Sequence, residues 1–258
     1  MAHRNGRQKV KGADKVNFLE KLTVGTFYSP LLGFLNNRVF MQFRPTFCRA
    51  GNPKVGDDEL YESLRRSWPG SINDRADIVR YYFLYLQLKR IDEHQISGDI
   101  AELGVYKGNT ALFFSKVSPG RTLHLFDTFE GFSERDSVQF ARTKTFKDVS
   151  LEKVHSMFPR SVKVYPGYFP DTAAQIEPGT RFALLHIDMD LEAPISAALE
   201  YFYPLMTPGA VMIVHDYNNI SSWDRGAKKA VDRFLVGKPE SVIEMPDRFG
   251  SVVIAKSR

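Results

Sequence analysis

Cysteine is nearly absent: Cys48 stands alone in 258 residues, which excludes an internal disulfide framework and a cysteine-built metal site. The same scarcity suits a reducing compartment, so a cytoplasmic location is expected. Long apolar runs are missing too. The longest uncharged stretch, 22–37, contains Pro30, two glycines and two asparagines and falls short of the roughly 18–20 apolar residues of a membrane-spanning helix. No apolar run directly follows the basic N-terminus, so no secretory signal is expected. The sequence shows no internal repeat and no long low-complexity tract. It also lacks the Gly-x-Gly-x-x-Gly turn through which a dinucleotide fold admits a pyrophosphate. What remains is a globular composition, 43% hydrophobic and 13% aromatic, sufficient for a sizeable core.

Charge is unevenly placed. Residues 1–50 hold nine Lys/Arg against Asp14 and Glu20, a net of +7, while the other 208 residues carry 26 basic against 28 acidic groups. Phe18, Phe27, Tyr28, Phe34, Phe40, Phe43 and Phe47 are interleaved with that basicity, and such aromatics are costly to leave in water. Residues 1–70 are therefore expected to form a helical N-terminal extension, packed on the main domain or on a second subunit as in a dimer, with a mobile tail at 1–13. Peripheral contact with an anionic membrane surface is a further reading of the same charge. The turn signal Trp68-Pro69-Gly70-Ser71 divides the chain into this extension and a compact domain, 71–258.

Within the domain, Ile78, Val79, Tyr82, Phe83 and Leu86 have helical spacing, so a helix over 75–94 leads into the first strand. Strands are expected at 99–104, 121–127, 161–166, 181–188 and 209–215, with helices near 109–117, 150–158, 193–205 and 226–236. Continuous apolar runs such as Phe182-Ala-Leu-Leu and Gly209-Ala-Val-Met-Ile-Val mark strands buried on both faces, as in a parallel sheet. The segments 241–245 and 251–256 flank a short turn and predict an antiparallel strand closing that sheet. The fold class is α/β, doubly wound.

The most informative segment runs from Asp99 to Asp127: strand, Gly104-x-x-x-Gly108 turn, helix, then a second strand ending in an acid 23 residues after Gly104. That matches the spacing of a βαβ nucleotide cradle, in which an acid about 20 residues on binds ribose. Tyr106 occupies the second glycine position, and the carboxylate of Glu102 would repel phosphate. These features favour S-adenosylmethionine, which carries an ammonium and a sulfonium but no phosphate, with Asp127 on the ribose hydroxyls. A second acidic group follows in His186-Ile-Asp188-Met-Asp190 and His215-Asp216-Tyr217-Asn218-Asn219. The carboxyl ends of neighbouring parallel strands line one crevice, so Asp188, Asp190, His215 and Asp216 can converge beside the cofactor. Clustered carboxylates call for a divalent cation, which would lower the pKa of a substrate hydroxyl while a nearby carboxylate takes its proton. The alternative is that Asp190 or Leu191-Glu192 merely opens helix 193–205, with Pro194 in its first turn. His186 is read as a hydrogen-bonded core residue.

Glu102-Leu-Gly-Val-Tyr-x-Gly, Phe126-Asp-Thr-Phe-Glu-Gly-Phe, Gly167-Tyr-Phe-Pro, Asp188-x-Asp190-Leu, Pro208-Gly, His215-Asp-Tyr-Asn-Asn and Gly226-x-Lys-Lys-Ala-Val together resemble the macrocin O-methyltransferase family of sugar-modifying enzymes, over about 74–234. The resemblance implies a class I methyltransferase (Rossmann-like) fold, S-adenosylmethionine as donor, and as acceptor a sugar hydroxyl of a glycosylated natural product or a lipid-linked glycan. It matches Asp188 and Asp216 to metal-ligand positions, Asp190 to the general base, and Gly167-Tyr168-Phe169 to the loop beside adenine. Cofactor contacts are expected from Glu102, Gly104, Tyr106, Gly108, Asp127, Thr128, Phe129, Gly167, Tyr168, Phe169 and Asp188. Metal contacts are expected from Asp188, His215 and Asp216. Many members have an acid where this chain has His215, and a mixed nitrogen and oxygen set tolerates Mn²⁺ better than Mg²⁺. After Asp190 the chain reads Leu191-Glu192-Ala193-Pro194, against Leu-Tyr-Glu-Pro in the family, which bears on acceptor contacts. Two other readings compete: a nicotinamide-dependent oxidoreductase or epimerase, and a non-catalytic nucleic-acid or membrane-binding protein acting through the basic N-terminus. The acidic crevice argues against nucleic acid there.

Overall fold

The computed structural model describes residues 77–257 apart from 137, 144, 160, 220–224 and 248. The N-terminal extension and its tail lie outside the described residues. Helix α1 (Ile78–Glu93) is opened by Asp77, whose side chain accepts from the Arg80 amide, satisfying one of the first-turn donors that a helix leaves unpaired. Strand β1 (Asp99–Leu103), helix α2 (Asn109–Val117) and strand β2 (Leu123–Asp127) then make the first βαβ unit. Helices α3 (Val138–Ala141) and α4 (Leu151–Ser156) precede β3 (Lys163–Pro166), and a 3₁₀ turn at Asp171–Gln175 leads to β4 (Phe182–Ile187). Helix α5 (Glu192–Phe202), β5 (Met206–Val214), α6 (Gly226–Phe234), β6 (Val242–Glu244) and β7 (Val252–Ala255) complete the order.

The seven strands lie in the order β3-β2-β1-β4-β5-β7-β6. Strands β1 to β5 pair in parallel, while β7 runs antiparallel to both β5 and β6. All six residues of β4 are buried, as a central strand covered by helices on both faces requires. This is the α/β sheet expected, with its one reversed strand near the C-terminus. Strand β5 starts earlier than expected, at Met206, because its pairing with β4 jumps from Phe182↔Met206 to Leu184↔Val211. Gly209, with φ +86°, sits in that irregularity, where its carbonyl accepts from the Arg90 guanidinium at 2.8 Å.

The chain winds outward from β1 to β3, then returns to β4 on the other side of β1. Crevices open at such a switch point, at the carboxyl ends of the strands. Here the ends of β1 and β4 approach so closely that a Cβ at Gly104 would lie 2.0 Å from the carbonyl oxygen of Asp188. Gly104 also has φ +86°, a region L-residues enter only at a cost.

Gly179 gives the matching control, because it has the same φ of +86° with nothing within 4 Å of an added Cβ. Gly179→Ala should cost about 1 kcal/mol from φ alone, and Gly104→Ala at least about 3 kcal/mol once the backbone clash is included. Urea unfolding of the two variants checks this; equal losses would show that the β1–β4 approach relaxes freely.

Candidate active site

A cavity of about 430 Å³ opens at the carboxyl ends of β1 to β5, within the size range of small-molecule sites. Gly104, Tyr106, Asp127, Thr128, Gly167, Tyr168 and Phe169 line one end, with Phe132 and Phe146; Asp188, Asp190, His215 and Asp216 line the other, with Arg80 and Phe249. Most of the residues expected at the site are thus brought together. Gly108, Phe129 and Glu102 do not line this cavity. Gly108 is the left-handed N-cap of α2, and Phe129 is buried with φ +54°.

Asp127 ties the cradle together. Its Oδ2 accepts from the backbone N–H groups of Val105 and Tyr106, each at 2.8 Å, and its Oδ1 from Phe129 N–H at 2.7 Å. The acid at the end of β2 therefore holds the turn after β1 as well as its own. Each carboxylate oxygen has two lone pairs, so acceptor capacity remains for a ligand hydroxyl. Tyr106 pays for this with φ +49°. Its ring meets Phe146 edge-on at 5.2 Å, and Phe146 meets Phe132 at 5.3 Å, an apolar wall suited to a flat heterocycle. Across it, Tyr168 donates to Asp136 at 2.5 Å beneath the Arg135 guanidinium, 3.9 Å from the ring centre. Burial and that hydrogen bond raise the Tyr168 pKa well above a free phenol.

Glu102 stands behind the cavity wall rather than in it. It is 2% exposed, and its Oε1 lies 3.2 Å from Nδ1 of the fully buried His186. Burial raises the Glu102 pKa well above a free carboxyl, and repulsion from Asp188 and Asp127 adds to it. Burial likewise pushes His186 down to about 3. The pair is a hydrogen bond between neutral groups. A carboxylate facing the cofactor ammonium was the sequence expectation; Glu102 is in register with Leu125 and His186, two residues short of the strand-end acids Asp127 and Asp188, so it lies one layer below the crevice, where burial disfavours its charge. His186 is the bonded core residue expected.

The acidic end is charged. Asp188 Oδ1 lies 2.9 Å from His215 Nδ1, and its Oδ2 lies 3.5 Å from Arg80 Nη1. Burial opposes ionisation of Asp188, but His215 and Arg80 outweigh it and hold its pKa well below the usual carboxylate range. Burial also lowers His215, yet Asp188, aided by Asp216, leaves its pKa raised. Burial raises the Asp216 pKa against the pull of His215, and its side chain hydrogen-bonds that of Asp190. One ligand atom each from Asp188, His215 and Asp216 lies within 4.8 Å of the others. Asp190 and Asp216 have φ of +63° and +61°, and backbone strain of this kind gathers at functional sites. Of the two openings expected for helix α5, the structure has the second: Leu191 is its N-cap and Glu192 its first residue, and Asp190 does not cap it.

Arg80 was missed by sequence reasoning. It reaches the cavity from α1, ranked there as a mere amphipathic lead-in, and the only signal was a cation on a largely apolar helix face. Phe249 is likewise a site residue delivered from the β6–β7 turn, its ring 5.6 Å from that of His215.

With this geometry in hand, comparison with known proteins is specific. The family model of the macrocin O-methyltransferases (TylF) matches residues 71–242. The 8-demethyl-8-(2,3-dimethoxy-alpha-L-rhamnosyl)-tetracenomycin-C 4'-O-methyltransferase of Streptomyces olivaceus is 29% identical over 191 residues, covering 67% of this chain and 71% of its own. Demethyldecarbamoylnovobiocin O-methyltransferase of Streptomyces niveus is 25% identical, over 62% of this chain and 70% of its own. Among solved structures, the O-methyltransferase NovP superposes with a TM-score of 0.61 at 22% identity, covering 76% of this chain and 88% of its own. That last likeness shows the class I methyltransferase fold.

The neutral Glu102 gives a signed pH prediction. Its folded pKa is raised above the unfolded value of 4.5, so the stability it contributes is complete below that pH and is lost as pH rises toward the folded value. Glu102→Gln removes the titration and keeps a hydrogen-bonding partner for His186. Its unfolding free energy relative to the parent should therefore increase between about pH 4 and about pH 8; identical pH slopes for the two proteins would contradict a neutral Glu102.

Proposed function

The chain belongs to the macrocin O-methyltransferase family and is an S-adenosylmethionine-dependent O-methyltransferase, and we propose that it methylates a sugar hydroxyl of a glycosylated natural product or glycan. The observation that carries this reading is one cavity joining two chemistries: Asp127 with its amide-bound turn at one end, and Asp188, Asp190 and Asp216 at the other. The rhamnosyl-bearing acceptor in the name of the Streptomyces olivaceus relative supports a sugar-bearing acceptor.

In this reading Asp127 receives the ribose hydroxyls, Tyr106, Phe146 and Tyr168 flank the adenine, and the donor methyl points toward Asp190. Asp190 takes the acceptor proton as the sugar oxygen attacks the methyl carbon and S-adenosylhomocysteine leaves. Its positive φ and the Asp216 hydrogen bond aim it. A divalent ion, Mg²⁺ or Mn²⁺, fits the donor set, because the clustered atoms of Asp188, His215 and Asp216 lie within 4.8 Å and ligands about 2.0–2.6 Å from one ion lie within about 5 Å of each other. When bound there, it would lower the pKa of the acceptor hydroxyl.

A nicotinamide-dependent oxidoreductase or epimerase is not favoured. Tyr85 and Lys89 have the Tyr-x-x-x-Lys spacing such enzymes use, but both lie on α1 and neither lines the cavity. Dimerisation through residues 1–70 and cytoplasmic residence remain part of the proposal, as does methylation of a lipid-linked glycan at the membrane surface.

Three measurements test it. Calorimetry should show S-adenosylhomocysteine binding and no NAD binding. With a rhamnosylated acceptor panel, Asp190→Asn should bind S-adenosylhomocysteine as the parent does yet turn over roughly 100-fold more slowly. Exhaustive chelation should abolish turnover, and added Mg²⁺ or Mn²⁺ should restore it. Full activity in Asp190→Asn would refute the base; full activity after chelation would refute the metal.

A further inference from the structure

His215 faces two carboxylate clusters, and only the first belongs to the cavity. One ligand atom each from Asp77, His215 and Asp247 also lies within 4.8 Å of the others. The ring is 5% exposed. Its Nδ1 is committed to Asp188 at 2.9 Å, and Nε2 is buried with no hydrogen-bond partner. A buried imidazole nitrogen without a partner is costly, and in the neutral ring, with Nδ1–H donated to Asp188, Nε2 offers a lone pair that a cation can take in place of a proton. Neither Asp77 nor Asp247 lines the cavity.

We propose that Asp77, His215 Nε2 and Asp247 form a second divalent-cation site, of the zinc type, in the wall behind the methyl-transfer cavity. The donor set is one imidazole nitrogen and two carboxylates, which suits Zn²⁺ and comparable transition ions better than Mg²⁺. Its surroundings have the form that metal sites use. A metal-bound histidine donates its other N–H to a carboxylate, and Asp188 accepts at that position. Ligating carboxylates are themselves hydrogen-bonded: Ser251 donates its backbone N–H to Asp247 Oδ1 at 2.6 Å and its hydroxyl to Oδ2. Asp77 is held by the first turn of α1 through the Arg80 amide, 3.4 Å from Oδ1.

Charge supports the same conclusion. The Arg80 guanidinium is shared between two carboxylates, 3.3 Å from Asp77 Oδ2 and 3.5 Å from Asp188 Oδ2. Burial raises the Asp77 pKa, and Asp247 adds to the rise against the pull of Arg80. A cation between Asp77 and Asp247 relieves that repulsion. The three ligands come from the start of α1, the end of β5 and the turn before β7, so the ion would clamp the first described helix to the C-terminal hairpin. The site does not depend on the acceptor assignment: it uses both nitrogens of His215, so a cavity ion bound at the same time would be held by the oxygens of Asp188 and Asp216 alone.

The test is equilibrium dialysis of the full-length chain against Zn²⁺ alone, with bound metal counted per chain, and Co²⁺ absorption as a second readout of nitrogen ligation. Asp77→Asn and Asp247→Asn should each weaken Zn²⁺ binding by at least about 10-fold, and both variants should bind S-adenosylhomocysteine like the parent. Asn caps helices as well as Asp, so Asp77→Asn should fold and carries the test even if Asp247→Asn does not. The proposal is overturned if the parent takes up no Zn²⁺ or if both wall variants bind it as the parent does.

Discussion

Everything at the crevice depends on how closely the ends of β1 and β4 approach. The ladder of backbone hydrogen bonds runs one residue past each strand: Gly104 N–H to Phe126 at 2.9 Å, Gly167 N–H to Asp127 at 2.9 Å, Asp188 N–H to Leu103 at 2.8 Å and His215 N–H to Ile187 at 2.9 Å. The first residue beyond each strand is thus placed with strand precision, not loop tolerance. Gly104 is the member that makes room. With any side chain there, the Asp188 carbonyl would have to retreat, and the carboxylate it carries would leave its contacts with His215 and Arg80. A backbone contact of this kind couples fold to chemistry without any side chain of its own.

That precision permits an arrangement which is otherwise unfavourable. Carboxylates taken partly out of water repel one another, and the left-handed backbone at Asp190 and Asp216 adds strain of order 1–3 kcal/mol each. Gly226 shows how the surroundings enforce it: a Cβ at the start of α6 would sit 2.5 Å from Glu192 N and 2.7 Å from the Asp190 carbonyl oxygen. The α6 backbone therefore presses on the turn that presents Asp190. Strain and repulsion are held in place by close backbone packing, and the site gains directed acids poised to accept a proton or a cation.

Much of this was legible in the sequence because it follows from local rules. Parallel strands announce themselves as continuous apolar runs, and an acid directly after such a run must stand at the carboxyl edge of the sheet. Asp127, Asp188 and Asp216 were therefore placed correctly by position alone. Glu102 shows where such reasoning stops. It too sits near a strand end, but in register with Leu125 and His186, two residues short of Asp127 and Asp188, so it lies one layer deeper on the same face, in the core against His186. Whether an acid is ionised depends on its burial among residues 84 positions away, which no local pattern reveals. Arg80 was hidden for the same reason, since its role is defined by Asp188, a partner from another element. Asp127 was assigned to a ligand and proves to serve the protein first, through three backbone amides.

The apolar side of the sheet explains why the crevice can be so demanding. Phe126, the residue before Asp127, stacks on Tyr165 with ring centres 4.4 Å apart, and Phe169 of the third loop stacks on Phe202 at 5.7 Å, which meets Phe182 edge-on at 5.0 Å. Aromatic contacts of this kind are directional, and close-packed interiors transmit displacement instead of absorbing it. The stack therefore links the end of β2, the loop after β3, the start of β4 and the last turn of α5 into one unit beneath the cavity. Phe169 belongs to both: it lines the cavity and is 4% exposed within the aromatic stack. A cofactor seated against the Tyr168-Phe169 loop thus rests on the core itself, and the acids opposite are held by backbone against backbone. Neither wall can yield without disturbing the sheet, which is the condition for an in-line transfer whose rate depends on keeping donor, acceptor and base in register.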